Sequence, residues 1–320
     1  MPNFRPLALA LLLGGLYSSV SFSSQAPMPI NANHGLGTVA LHASSENPPV
    51  RILASLPVTY GLGEILLKDS GVELQRAADA NLPGSRQSAY FSGRGAPALQ
   101  KLANQADAVI GLRSLWPDDP LYIMARRSNV RIVEVDAARP VDGGLPGIAV
   151  QPGKGTDGLN SQPWLSSNNL GRMADVTAAD LVRLAPAAKP RIESNLATFK
   201  QRLLKLSADS ETRLAKAENL SVFSLSERFN YLVGGLNLEL IQVDARSDEQ
   251  WTPEALAKLS ETLKDADVKL VLDHRQPPKT VKAAIARAGS TLLVLETESV
   301  DPLTALEDSI RQVLDTLAPI

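Results

Sequence analysis

The sequence predicts an α/β protein of two lobes, each built on a parallel-leaning sheet and joined by one long helix. Three observations carry this. Short apolar runs alternate with amphipathic stretches from Val50 to Asp136, and again from Leu220 to Leu317. Between the two series, after Pro190, the positions Ile192, Leu196, Phe199, Leu203, Leu206 and Leu214 share one helical face. Such a helix reaches about Ala217 and spans about 40 Å at 1.5 Å per residue, longer than a compact domain needs. Finally, 320 residues at 44% hydrophobic and 21% charged suit two packed lobes rather than a disordered chain.

In the first series VRILASLP (50–57) reads as a buried strand and YGLGEILLKD (60–69) as a helix through Leu62, Ile65 and Leu66. VELQRAA (72–78), AVIGL (108–112) and VRIVEVD (130–136) read as strands, with helices at 98–107 and 120–128 between them. Strands alternating with helices predict parallel pairing. A Gly- and Pro-rich connection follows at 138–163. SSNN (166–169) then offers cap residues for a helix carrying Met173, Val176, Leu181 and Leu184.

The second series places strands at 220–225, 238–244, 268–273 and 291–296, with a helix at 226–234. Thr252 caps a further helix that has Pro253 at its first position. PKTVKAAIARAG (278–289) is a helix ended by Gly289. Asp301-Pro302 opens the last one, striped with Leu303, Leu306, Ile310, Val313 and Leu317. The expected division is a first lobe over 50–165, a helical segment over 166–217 and a second lobe over 218–320.

Ahead of these, residues 1–26 have the pattern of a secretion signal: one cation, Arg5, the apolar run LALALLLGGLY (7–17), then a small polar stretch. The run is too short to span a bilayer, and no later segment is long and apolar enough, so no stable membrane insertion is expected. Residues 27–49 read as a flexible leader carrying His34 and His42. A net charge of −2 argues against nucleic-acid binding, which rewards a dense basic surface. With no cysteine there are no disulfides, thiolate metal sites or cysteine nucleophiles, and no cysteine-borne lipid anchor. The expected location is the periplasm.

Four stretches, in order, resemble the TroA-like periplasmic metal-binding proteins, the solute-binding subunits of zinc and manganese ABC importers. ILASLPVTYGLGEIL (52–66) resembles that family's first strand and helix. LPGSRQSAY (82–90), followed by LQKLANQADAVIG (99–111), resembles its Pro-Gly loop, helix and strand entry. QPWLSSNN (162–169) resembles its Trp-Leu motif, and ERFNYLVGGL (227–236) its helix start in the second lobe. The resemblance covers residues 50–320 and implies a ligand cleft between the lobes.

In the family that cleft holds a cage of three histidines and a carboxylate, a set that suits zinc. Here the histidine positions fall near Ser88, on Gln162 and near Ser226, with Glu227 beside the last. The carboxylate position falls on Glu296. The sequence has three histidines, and His274 is the one that follows a predicted strand of the second lobe. It reads either as a loop residue bonded to Asp273 or as a contact for a ligand. Catalysis is the weakest reading, since no nucleophile or paired-carboxylate spacing accompanies it, and the protein is not expected to be an enzyme.

The other residues expected at the strand ends are Arg86, Tyr90, Arg113 and Trp116 in the first lobe and Arg228 and Arg275 in the second. Arginine forks bind carboxylates and catecholates, and aromatic rings supply flat apolar walls. This lining suits an organic anion, so the expected cargo is a metal carried in a chelator, such as a ferric siderophore, with no resident cofactor. The resemblance implies an ABC permease and ATPase as partners, with a paralogous binding protein as a further one. Two alternatives stand beside this: a zinc or manganese binder with a degenerate site, and an accessory or adhesin-like interaction protein.

Overall fold

The computed structural model describes residues 48–319 apart from Asn81, Asp142, 154–159 and Ser161. The expected secretion signal, and the leader with His34 and His42, lie outside the described residues except for Pro48 and Pro49. The first sheet comprises β1 (Arg51–Ala54), β2 (Glu73–Arg76), β3 (Ala108–Gly111) and β4 (Val133–Asp136). Its order is β2-β1-β3-β4 with every pair parallel. Helices α1 (Pro57–Leu67), α2 (Gly84–Ser92), α3 (Ala96–Ala103) and α4 (Leu121–Arg126) connect these strands.

Two helices follow, α5 (Ser167–Leu184) and the 26-residue α6 (Lys189–Leu214), which is the expected long helix. The second sheet comprises β5 (Ser221–Ser224), β6 (Glu239–Val243), β7 (Leu270–Asp273) and β8 (Thr291–Val294). Its order, β6-β5-β7-β8, repeats the first, again all parallel. Helices α7 (Asn230–Gly235), α8 (Pro253–Asp265), α9 (Lys279–Arg287) and α10 (Pro302–Leu317) complete the lobe. Thr252 accepts a hydrogen bond from the Ala255 amide and Asp301 from that of Thr304, so both expected caps form, each with proline at the first helical position.

Side-chain alternation explains how the sheets are covered. In β1, Ile52 and Ala54 face one core while Leu53 faces another with Val109, Phe91, Leu99 and Leu121. In the second lobe Val222, Leu270 and Leu272 face inward, while Phe223 and Val271 pack outward against α8 and α9. The inner faces of both sheets belong to a single apolar cluster completed by Leu181, Ile192, Phe199 and Leu306. The lobes therefore share one core. They also touch directly: a Cβ at Gly61 of α1 would lie 2.2 Å from the Val300 carbonyl oxygen, so the backbones approach as closely as glycine permits.

Two details differ from the sequence reading. The stretch 82–90, read as a loop, is mostly helix α2. Only Gly84, Gln87 and Phe91 of its nine residues are buried, so no apolar stripe announces it. The helix expected over 226–234 begins as a 3-10 turn, Glu227–Phe229, because the Ser226 hydroxyl accepts from the Arg228 amide and tightens the entry.

Candidate functional site

In a parallel sheet, ligands bind beyond the carboxyl ends of the strands where the strand order reverses. With order 2-1-3-4 that point lies between β1 and β3, and in the second lobe between β5 and β7. A cavity of about 180 Å³ is found there, between the lobes. Leu56, Pro57 and Val58, running from β1 into α1, line it with Gly84 and Ser85 of α2 and Trp116 from the loop after β3. The connecting segment adds Gln162 and Trp164. The second lobe adds Arg228 from the turn after β5 and Glu298 from the loop after β8.

Trp116, Trp164 and Arg228 are each held in place. The indole of Trp116 lies on the bare backbone of Gly84, where a Cβ would come within 2.5 Å of the ring. Trp164, 7% exposed, donates its Nε1–H to the Thr297 carbonyl at 2.8 Å, tying the connecting segment to the second lobe. The Arg228 guanidinium donates from Nη1 to Thr297 Oγ1 at 2.9 Å and to Glu298 Oε1 at 3.1 Å. A guanidinium has five N–H donors, and the Nε and Nη2 protons of Arg228 have no partner among the described residues. That leaves one edge of the fork open to a planar anion.

Trp116 also lines an adjoining groove of about 450 Å³ with Ser85, Ser88, Pro117 and Asp119. Buried Asp119 fixes this loop, accepting from the amides of Leu112 at 2.8 Å and Leu121 at 3.2 Å. Burial pushes its carboxyl up to about 6, against those two hydrogen bonds.

Of the sequence-predicted residues, Trp116, Gln162 and Arg228 line the cavity and Ser88 lines the groove. Ser226 and Glu227 form the turn that presents Arg228; Ser226 caps it, and the Glu227 carbonyl accepts from Asn160 Nδ2. Arg86 lies exposed on α2 and does not line the cavity. Tyr90 packs edge-on against Phe91, with Arg94 over its ring.

Arg113 is taken by a two-pronged pair with Glu134 on β4, at 2.9 and 2.7 Å. Arg275 pairs with Asp248 at 2.7 Å. His274 keeps its Nδ1 3.3 Å from Asp273 Oδ1, out of hydrogen-bond geometry, and lines neither cavity. Glu296 is exposed, and the carboxylate at the cavity is Glu298, two residues on. Leu56–Val58, Gly84, Ser85 and Trp164 were not among the expected site residues. The signal for Leu56–Val58 was their place just past the end of β1; Gly84 and Ser85 open α2, eight and nine residues beyond β2. Among the described residues, no three His, Cys, Asp or Glu side chains converge to hold a metal ion.

The family model "ZnuA: Zinc-uptake complex component A periplasmic" matches residues 97–318. No curated protein sequence matches significantly. Among solved structures, the chain is similar to a mutant of FpvC from Pseudomonas aeruginosa, with a TM-score of 0.66 and 22% identity over 83% of this chain and 97% of that one. It is similar to ZnuA, at 0.64 and 19% over 84% and 100%. It is also similar to the metal-dependent lipoprotein YcdH from Bacillus subtilis, at 0.63 and 17% over 84% and 99%. Structures of FpvC include complexes with Mn²⁺ and with Ni²⁺. At these identities the structural likeness establishes the fold. Among the described residues no helix is long and apolar enough to cross a membrane.

Proposed function

The chain belongs to the periplasmic zinc-uptake component A family, a family of transport components rather than enzymes, and from that membership we propose that its cargo is a metal held in a small anionic chelator. The reading rests on Arg228. A guanidinium with one free edge lines the interlobe cavity, where it would repel a bare divalent cation and pair with a carboxylate or catecholate. Trp116 and the Leu56–Val58 turn supply flat apolar walls for the chelator, and Gln162 a neutral hydrogen-bonding group.

The cavity is smaller than the roughly 300–1,000 Å³ of a drug-sized ligand site. It takes a compact chelate, or one arm of a larger one whose remainder passes Trp116 into the adjoining groove. Because the lobes share one core, capture involves little closure. The loaded protein then delivers its cargo to the membrane permease and ATPase of the uptake system.

Two of the three tryptophans line the cavity, so their fluorescence reports binding. Titration with ferric citrate and ferric 2,3-dihydroxybenzoate quenches it, free Zn²⁺ leaves it unchanged, and Trp116→Phe removes much of the response. Tight binding of one Zn²⁺ without a chelator contradicts the proposal. Silence toward every chelate favours the interaction-protein alternative.

A further inference from the structure

A second cavity, of about 350 Å³, shares no lining residue with the interlobe cavity and lies where the start of α5 faces α6 and α7. Buried side chains build its walls. Asn169 joins the backbone of Ala149 through two hydrogen bonds of 2.9 Å, and the Tyr231 hydroxyl accepts from the Gln151 amide at 2.9 Å. Ser166, the N-cap of the 18-residue α5, lines the cavity and is 9% exposed.

A serine at this position ordinarily accepts from an amide of the first turn. The Ser166 side chain makes no such bond and has no other partner among the described residues. The first-turn amides at the positive end of α5 therefore have no side-chain cap, beside the unpaired hydroxyl of a residue that is 9% exposed. Glu211 of α6 also lines the cavity, an exposed carboxylate; among the described residues it has no ion-pair partner and no cationic side chain lines the site.

We infer that this cavity binds a small zwitterion, its carboxylate on the α5 amides and the Ser166 hydroxyl and its ammonium on Glu211; a free α-amino acid is the simplest such ligand. A lone anion is opposed by Glu211 and a lone cation by the helix terminus, so both charges are needed. The interlobe cavity takes no part.

Calorimetric titration of the whole protein with glycine, L-serine, acetate and methylammonium tests this. One amino acid binds per chain, and the two half-ligands bind at least about tenfold more weakly. Glu211→Gln and Ser166→Ala each weaken amino-acid binding about tenfold, the size of one lost hydrogen bond to a charged group. Arg228→Gln leaves it unchanged. Glu211 is exposed, so its isosteric replacement keeps the thermal midpoint. Absence of amino-acid binding overturns the inference, as does binding that survives intact in both variants.

Discussion

The two lobes are built on the same strand order, yet at equivalent strand ends they present opposite chemistries. After β1 the chain passes through Leu56, Pro57 and Val58 straight into an 11-residue helix, leaving an apolar wall. After β5 it passes through Ser226 and Glu227 into a capped 3-10 turn that carries Arg228 to the cavity. After β3 comes Trp116, seated on Gly84. After β7 comes His274, whose amide is bonded back to Asp273 at 2.7 Å. A repeated scaffold thus sets a flat apolar face and a hydrogen-bonding one around the same cavity. Specificity lies in the few residues past each strand, and the sheets only place them.

The largest test prises the faces apart. Gly61→Val forces a branched side chain onto the Val300 backbone at the seam, and is expected to cost about 3 kcal/mol, read as a drop of several degrees in the thermal midpoint. An unchanged midpoint would mean that the shared core is not the joint. A similar effect comes from pH. Asp119 holds its proton to about 6, against an ordinary value of 3.8, so between these values the folded state binds the proton that the unfolded state has lost. Its contribution therefore favours the fold at low pH and fades as pH rises through 6, by about 3 kcal/mol in all. Asp119→Asn lacks this slope. Denaturant midpoints at pH 4.5 and 7 should show wild type gaining on the variant as the pH falls; a constant gap sinks the assignment.

On the polar face, Arg228→Gln should weaken chelate binding by about 2 kcal/mol, roughly 30-fold, while Arg113→Gln leaves it within twofold, because Glu134 already occupies that fork. Equal losses in the two variants would contradict the placement of the ligand. The smallest effect is expected at His274→Asn: less than about 0.5 kcal/mol on binding, since the residue lines neither cavity. Loss of binding there would restore the histidine as a ligand contact.

How much of this was legible in the sequence follows the same division. The sheets announced themselves because β1, β3 and β7 are largely buried on both faces and carry short apolar runs, while β5 buries Val222 and Phe223 between two serines. Helix α2 did not, since its outward face is polar and its inward face is held by Gly84, Gln87 and Phe91 alone. At the site, Trp116, Gln162 and Arg228 could be found because they sit a few residues beyond strand ends or motifs. Arg113 has the same credentials, but the pairing of β3 with β4 brings Glu134 to it, a partner 21 residues away that no local pattern reveals. Glu298 was missed in favour of Glu296 because β8 stops at Val294 and the loop beyond it has no period to count by. Where side-chain direction depends on tertiary pairing or loop geometry, the residue type is readable and its direction is not.

Under the proposed function the cleft grips the chelator rather than the bare ion. Equilibrium dialysis of the purified protein against zinc or iron, each alone and each with citrate or 2,3-dihydroxybenzoate, measures this directly by counting metal and chelator retained per chain. Metal and chelator are expected to be retained together in fixed ratio, with neither metal retained alone. One equivalent of zinc held without any chelator would contradict it.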